Sequence, residues 1–232
     1  ARADAGPSAL LQAYAEVRNS SILETTGRTD TQLSAEELLP VLYSTSASVR
    51  RQWFIESAGE LIGCMAVDIL QDDGGRSAIG VIALRRAFWR QGIGTAALAR
   101  LESELRSAGV SSLMCWVEHH GACDDMLSAP TGFGAVPHDA AAHFLQRHGF
   151  VLEQVERASE LRWDARTVQT LELSRDSAQA QASEYRVVQW ILPTPPEHVD
   201  GYAWLKSRMS TDAPDAEMGM PEETWDAERV WE

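Results

Sequence analysis

The segment QGIGT, residues Gln91–Thr95, restricts the fold of this chain more than any other feature. It follows a strand-like run that ends at Leu84, and it precedes a segment whose apolar residues recur at helical spacing. Gly92 and Gly94 let the backbone approach a ligand closely, and the start of a helix presents unpaired N–H groups at the positive end of its dipole. The order strand, glycine turn, helix therefore predicts an anion site suited to a pyrophosphate.

The charge distribution supports an anion at this turn. Arg85, Arg86 and Arg90 lie beside the glycines, whereas the chain as a whole carries a formal net charge of −14. So acidic a chain lacks the basic face that nucleic-acid binding requires, and a nucleic-acid partner is excluded on that ground. The same charge is compatible with a cationic acceptor such as an amine.

Other partners are excluded by what the sequence does not contain. Apolar runs are short and interrupted by charges, so no membrane partner is expected. The N-terminal residues lack the apolar stretch of a secretory signal, and the three cysteines form no paired pattern, which favours a cytoplasmic protein. His143 and His148 do not form the H-E-x-x-H pattern, so no metal site is expected.

The segments around the glycine turn predict a mixed α/β sheet. An antiparallel meander, joined by turn signals at 58–59 and 72–75, precedes the turn, and a right-handed crossover then requires a parallel strand. The predicted elements are helices over 8–19 and 34–42, strands over 53–56, 61–70 and 78–84, the helix after the turn, a strand over 112–117, a helix over 139–148 and a strand over 150–161.

The two ends of the chain resemble each other. LLQAYAEVRNSS near the start is similar to HVDGYAWLKSRMS near the end, so that Tyr14 matches Tyr202, and SAEELLPVL is similar to PEETWDAERV. A strand predicted over 185–192 precedes the later copy. We therefore expect one domain over 1–165, a linker over 166–183 and the incomplete start of a second copy over 184–232, a tandem pair that forms a pseudo-dimer within one chain.

Two nucleotide-binding motifs compete for the glycine turn. A Walker A loop is excluded because Thr95 stands where its lysine is needed. The dinucleotide fingerprint fits better, since Gly92, Gly94 and Ala97 satisfy G-x-G-x-x-A and Glu118 occupies a position suited to the ribose-binding acid. An arginine-rich segment before the first glycine and the hairpin-linked strands upstream count against it. An NAD(P)-binding oxidoreductase thus remains an alternative.

The segment IALRRAFWRQGIGTAAL resembles the pyrophosphate loop and helix of the GNAT superfamily of N-acyltransferases, of the type R/Q-x-x-G-x-G/A. One departure is Trp89, which stands where the family usually has Arg or Gln. AAAHFLQRHGF, ending at Phe150, is similar to a second family pattern, A-x-x-F-Y-x-K-x-G-F, with Phe144 and Arg147 in register. The resemblance covers roughly residues 9–161 and implies the GNAT fold, a mixed sheet with helices on both faces.

The resemblance implies that acetyl-CoA is a co-substrate and that its acetyl group is transferred to an amine of a small molecule, with a peptide or protein amine left open. Main-chain groups of the last strand of the meander would hold the pantetheine arm, and the glycine turn would hold the pyrophosphate. The residues that the resemblance assigns to the cofactor are Ile82, Ala83, Leu84, Trp89, Arg90, Gln91, Gly92, Ile93, Gly94, Thr95, Phe144 and Arg147.

Catalysis in such a family is direct transfer, in which a base takes the proton of the amine and an acid protonates the leaving thiolate. The frequent acid of the family is a tyrosine, but Leu145 stands at that position. Either water or another residue replaces it, or this copy is a catalytically silent acyl-CoA-binding domain that supports a second, active copy. For the base, Glu118 is the first candidate because it follows the central strand, with His119, its neighbour His120 and Asp68 as alternatives.

Overall fold

A four-stranded mixed sheet forms the centre of the molecule. The computed structural model describes residues 7–121, 123–212 and 216–232. The sheet has the order β1-β2-β3-β4, with antiparallel pairing from β1 to β3 and parallel pairing between β3 and β4, so the predicted meander and crossover are confirmed. Its strands are β1 (Ser48–Ser57), β2 (Glu60–Leu70), β3 (Ser77–Leu84) and β4 (Ser112–Met114).

Seven α-helices and one small hairpin accompany the sheet in the described residues. Ser34 begins α2 with the predicted capping box: its hydroxyl accepts from the Glu37 amide at 3.2 Å, and its own amide donates to the Glu37 carboxylate at 2.7 Å. The helices are α1 (Ala9–Thr26), α2 (Ala35–Leu38), α3 (Ile93–Ser107), α4 (Ala140–Arg147), α5 (Ala165–Gln181), α6 (Pro196–Asp212) and α7 (Ala227–Trp231), and the hairpin consists of β5 (Met126–Ser128) and β6 (Ala135–Pro137).

Alternate residues of β2 supply two separate cores, because successive side chains of a strand point to opposite faces. Cys64 packs with Tyr14 and Val17 under α1 and α2. Val67 packs on the other face with Leu101 of α3. The sheet therefore has helices on both faces, as predicted.

The predicted strands over 150–161 and 185–192 are wrong. Neither segment is hydrogen-bonded into a sheet, and β4 itself is shorter than predicted. Val187 is 89% exposed and Ile191 is 93% exposed, and Trp190 is the residue of this segment that packs against α6, through His198 and Tyr202. An apolar sequence favours a strand only where a second strand pairs with its backbone groups.

The C-terminal segment contacts the meander. Arg229 of α7 forms an ion pair with Asp72 at 2.8 Å, and both side chains are almost fully buried. The Glu232 carboxylate accepts from the Ser46 amide at 2.9 Å. The predicted linker is an exposed helix, α5, and the division into two copies stays a prediction. None of the helices in the described ranges has both the length and the apolar character needed to cross a membrane.

We expect Leu101→Ala to lower the free energy of unfolding by about 2–5 kcal/mol, because the side chain is 1% exposed between α3 and the sheet. Urea denaturation of the purified protein would measure it. Leu10→Ala in α1 is the matched control. Leu10 is 48% exposed, so this substitution should lower the free energy of unfolding by no more than about 1 kcal/mol. Equal losses at the two positions would contradict the packing of α3.

Candidate functional site

The sheet opens between β3 and β4. Parallel pairing runs from Ser77 beside Ser112 to Ile79 beside Met114 and stops there. β3 continues to Leu84, whereas the residues that follow β4 are not in a strand. The β4-facing edge of the last part of β3 is therefore without a strand partner in the described structure.

The register decides which main-chain groups face this open edge. The Arg85 amide donates to the Ile62 carbonyl of β2 at 3.0 Å. Backbone groups alternate along an antiparallel pair, so those of Ala83 also point toward β2, and those of Ile82 and Leu84 point toward the opening. Of the three predicted main-chain ligands, the structure places two at the open edge and turns Ala83 away from it.

Trp89 closes the far end of β3. Its indole N–H donates to the Leu84 carbonyl at 2.7 Å, and the Arg86 guanidinium lies 5.8 Å from the centre of its ring. The Arg86 amide in turn donates to the carboxylate of Glu24 in α1 at 2.7 Å. The resemblance places an arginine or glutamine at this position. The tryptophan instead joins the end of β3 to the segment before the glycine turn through its indole hydrogen bond.

The glycine turn leads directly into α3. Gly92 is the N-cap residue, with a φ of 81°, a left-handed conformation that glycine adopts without strain. It has no side chain to accept from the amides of the first turn, and the helical ladder begins with the Ala96 amide donating to the Gly92 carbonyl at 3.0 Å. The amides of Ile93, Gly94 and Thr95 therefore remain available to an anion.

The two sequence motifs meet at the start of α3. A Cβ atom on Gly94 would lie 3.3 Å from Cε2 of Phe144 in α4, so the glycine permits this ring to approach. Thr95 Oγ1 lies 3.2 Å from His148 Nε2, and the ring centroids of Phe144 and His148 are 4.6 Å apart. The structure thus brings Gly94 and Thr95 of the glycine turn close to Phe144 of the second motif.

Some of the polar side chains around the turn are already paired within the protein, and others are exposed. Arg85 is ion-paired with Glu60. The Gln91 side chain donates to the Ala87 carbonyl at 3.0 Å. Arg90 and Arg147 are exposed. Neither forms an ion pair within the described residues, so both side chains can rotate toward a phosphate at the turn.

Asp68 lies away from the opening. It is on β2, so that β3 separates it from the open edge, and it forms a 2.7 Å ion pair with Arg50, whose side chain is 11% exposed. The carboxylate stabilises a cross-strand pair of the meander, and this position does not favour it as a base for chemistry at the opening.

His119 and Asp139 form a pair that the sequence did not predict. His119 Nδ1 lies 2.9 Å from Asp139 Oδ2, and the His119 side chain is 11% exposed. Asp139 is also the N-cap of α4 and accepts from the amides of Ala141 and Ala142 at 2.9 Å and 3.0 Å. Glu118 is exposed on the same segment. The one sequence signal for Asp139 was its place before an alanine-rich helix, which is typical of an N-cap.

The pKa of Asp139 is below its usual value. Burial disfavours the charged form, but the Ala142 amide, His119 and the Ala141 amide outweigh it and lower the pKa. The carboxylate is therefore ionised at neutral pH and accepts the proton of His119 Nδ1. This leaves the lone pair of Nε2 as the basic atom of the imidazole.

Burial also separates the three thiols by reactivity. It raises the pKa of both Cys64 and Cys115 to about 11, whereas Cys123 is exposed. Because the thiolate is the reactive form, we expect a maleimide at pH 8 to modify Cys123 first in the native protein. Mass spectrometry of the digested protein would locate the label. Cys123→Ser should remove the fast phase of maleimide labelling. A fast phase that persists in this variant would contradict the burial of Cys64 and Cys115.

Comparison with known proteins identifies the family of this arrangement. Residues 19–124 match the model of the acetyltransferase (GNAT) family. This segment belongs to that family. The match agrees with the fold that the resemblance implied. No curated protein matches the chain.

Solved GNAT structures share the fold at low sequence identity. A tandem GNAT protein from the clavulanic acid biosynthesis pathway matches with a TM-score of 0.54 and 18% identity, over 87% of this chain and 57% of that one. An aminoglycoside 6'-N-acetyltransferase complexed with coenzyme A matches with a TM-score of 0.47 and 15% identity, over 63% of this chain and 81% of that one. A GNAT-family acetyltransferase from Streptococcus pneumoniae matches with a TM-score of 0.44 and 21% identity, over 66% of this chain and 87% of that one. The chain spans 57% of the length of the tandem GNAT protein, and it spans 66% and 63% of two further solved N-acetyltransferase structures.

The oxidoreductase alternative receives no support. Three of the four strands of the central sheet form an antiparallel meander, and one pair is parallel. A dinucleotide-binding fold requires a train of parallel strands with helical crossovers, which the described residues do not form.

Proposed function

We propose that this chain binds acetyl-CoA at the opening beside β3 and transfers the acetyl group to an amine of a small molecule. One observation carries the proposal: the open edge of Ile82 and the uncapped start of α3 lie at the same end of β3. The edge offers main-chain donors and acceptors to the amides of the pantetheine arm. The helix start offers N–H groups and a positive dipole end to the pyrophosphate.

Main-chain recognition accounts for the departures from the family pattern. The amides of Ile93, Gly94 and Thr95 bind a phosphate whatever their neighbours are, so Trp89 in place of a polar residue removes one contact and leaves the anion site. Trp89 takes up the Leu84 carbonyl, which leaves Ile82 as the residue of β3 best suited to pair with pantetheine.

We propose His119 as the general base, positioned by Asp139. The amine nitrogen attacks the thioester carbon, a C–N bond forms, and the C–S bond breaks as coenzyme A leaves as the thiolate. The nitrogen gives its proton to His119 Nε2, and the Asp139 carboxylate stabilises the imidazolium that forms. The imidazolium or a water molecule then protonates the thiolate, since Leu145 offers no proton. The acidic chain favours the approach of a cationic amine.

A second candidate function is a catalytically silent acyl-CoA-binding domain beside an active second copy. The observation that favours it is Leu145, which removes the usual acid while the main-chain binding features persist. The later copy is supported by α6, which carries Tyr202 at the position that matches Tyr14 of α1. Binding of acetyl-CoA fits both functions, and turnover separates them.

We expect calorimetric titration to show acetyl-CoA binding that Gly92→Ala weakens by at least about tenfold, because a side chain at a φ of 81° is strained and shifts the first turn of α3. Gly109→Ala is the matched control at the other end of α3: its φ is 82°, and a Cβ there also meets open space. Equal effects of the two substitutions would mean that strain alone lowers affinity and would remove the glycine turn from the site.

We expect His119→Ala to lower kcat about 100-fold or more, with the KM for acetyl-CoA little changed, because the base acts on the amine and not on the cofactor. Thiol release from acetyl-CoA, measured with a panel of primary amines, would follow the reaction. Asp139→Asn should give a smaller fall, and Glu118→Gln is the control in the adjacent exposed position. A large fall for Glu118→Gln alone would assign the base to Glu118. Acetyl-CoA binding without turnover of any amine would favour the silent domain.

A further inference from the structure

Three potential metal ligands converge beside the small hairpin. Asp125 and His138 lie opposite each other at its base, next to the paired residues Met126 and Pro137, and the His138 amide donates to the Asp125 carbonyl at 3.0 Å. His143 projects from α4 toward them, with its ring centroid 3.8 Å from that of His138. Each residue offers a ligand atom within 4.8 Å of the other two, and this is the one group of three or more such ligands in the described ranges.

We propose that Asp125, His138 and His143 form a site for a divalent transition metal ion of the zinc type. Two imidazoles and one carboxylate are the donors that zinc takes, whereas magnesium and calcium prefer oxygen ligands alone. Three protein ligands leave a fourth position for water. Its three ligands are not among the residues of the proposed acyl-transfer site, although His138 directly precedes Asp139.

The hydrogen bonds of His138 point to a cation. Its Nε2 lies 2.7 Å from Gln146 Oε1, and its Nδ1 lies 3.1 Å from Asp125 Oδ2. A tautomer with its proton on Nε2 donates to the amide oxygen of Gln146 and turns the lone pair of Nδ1 toward a carboxylate oxygen. A metal ion placed between Nδ1 and that oxygen is then bound by both atoms.

Gln146 has the place that an outer-shell residue takes in metal sites. A metal-bound histidine usually donates its other ring N–H to an oxygen acceptor, which fixes the tautomer and the orientation of the ring. Gln146 lies at the distance for this hydrogen bond, on the same helix as His143, α4. Donation from Nε2–H to Gln146 holds the ring of His138 in the orientation that coordination through Nδ1 needs.

The distances suit coordination with little rearrangement. Tetrahedral zinc with ligand bonds of about 2.0–2.1 Å places its ligand atoms about 3.3 Å apart. His138 Nδ1 and Asp125 Oδ2 are already 3.1 Å apart. His143 is exposed, so its side chain can turn to close the remaining gap. The Cys123 thiol donates to the Asp125 carbonyl at 2.8 Å and holds that loop in place.

Bound metal would tie the hairpin to the start of α4. His138 precedes Asp139, the N-cap of α4 and the partner of His119. The metal would act as a cross-link of that segment and not as a reactant. Spacing rules predict no metal site from this sequence, because the three ligands are spread over a hairpin and a helix without a compact motif.

The test is calorimetric titration of the full chain, stripped with a chelator and free of any histidine tag, with Zn²⁺. We expect one Zn²⁺ per chain, and we expect Asp125→Asn and His143→Ala each to weaken binding by at least about tenfold, as does the loss of even an outer-shell partner. His198→Ala in α6 is the matched control: it removes one histidine far from the cluster in sequence and should bind as the wild type does. Co²⁺ should produce the visible absorption of a four-coordinate site in the wild type and in His198→Ala. It should not do so in Asp125→Asn or His143→Ala.

Two results would overturn the proposal. The first is the absence of Zn²⁺ binding by the wild type. The second is equal binding by the wild type and His143→Ala, with matching thermal melting of the two metal-free proteins. Either result would make the contact between His138 and Asp125 a hydrogen bond without a metal. Because His143 is exposed, its substitution keeps the test valid even if Asp125→Asn disturbs the hairpin.

Discussion

The early end of the pairing between β3 and β4 is the constraint on which the candidate site depends. If β4 followed β3 to Leu84, the sheet would use the main-chain groups of Ile82, and no ligand could reach them. Because pairing stops at Ile79 and Met114, a row of backbone donors and acceptors is left unpaired by the sheet. Such groups need water or a ligand, so the opening makes a binding edge out of the backbone itself.

A second constraint connects this edge to the candidate base. Gly94 lets the ring of Phe144 approach the start of α3, and this contact fixes the C-terminal half of α4. The other end of the same helix begins at Asp139, which holds His119. One short helix therefore sets the separation between the anion site and the imidazole, and neither motif alone determines it.

The features that the sequence predicted are the local ones. The meander follows from turn residues and alternation, and the capping box follows from Ser34 and Glu37, whereas an anion at the glycine turn stays a prediction. The failures all depend on distant partners. The segment 185–192 has the composition of a strand but no strand beside it, and His119 is paired with a residue 20 positions away. The indole of Trp89 has a structural hydrogen bond that no spacing rule indicates.

The same distinction between backbone and side chain bears on whether the domain is active. The binding that we propose at the opening would rely on main-chain groups, which tolerate the replacement of neighbouring side chains, so Trp89 and Leu145 are compatible with it. Acyl transfer depends on particular side chains. The His119 side chain is 11% exposed and is paired with a carboxylate. Holding this imidazole largely out of water costs desolvation free energy, which the Asp139 carboxylate offsets in part while it caps α4. A domain that only binds has no use for a buried base at this place, so we infer an enzyme and not a silent copy.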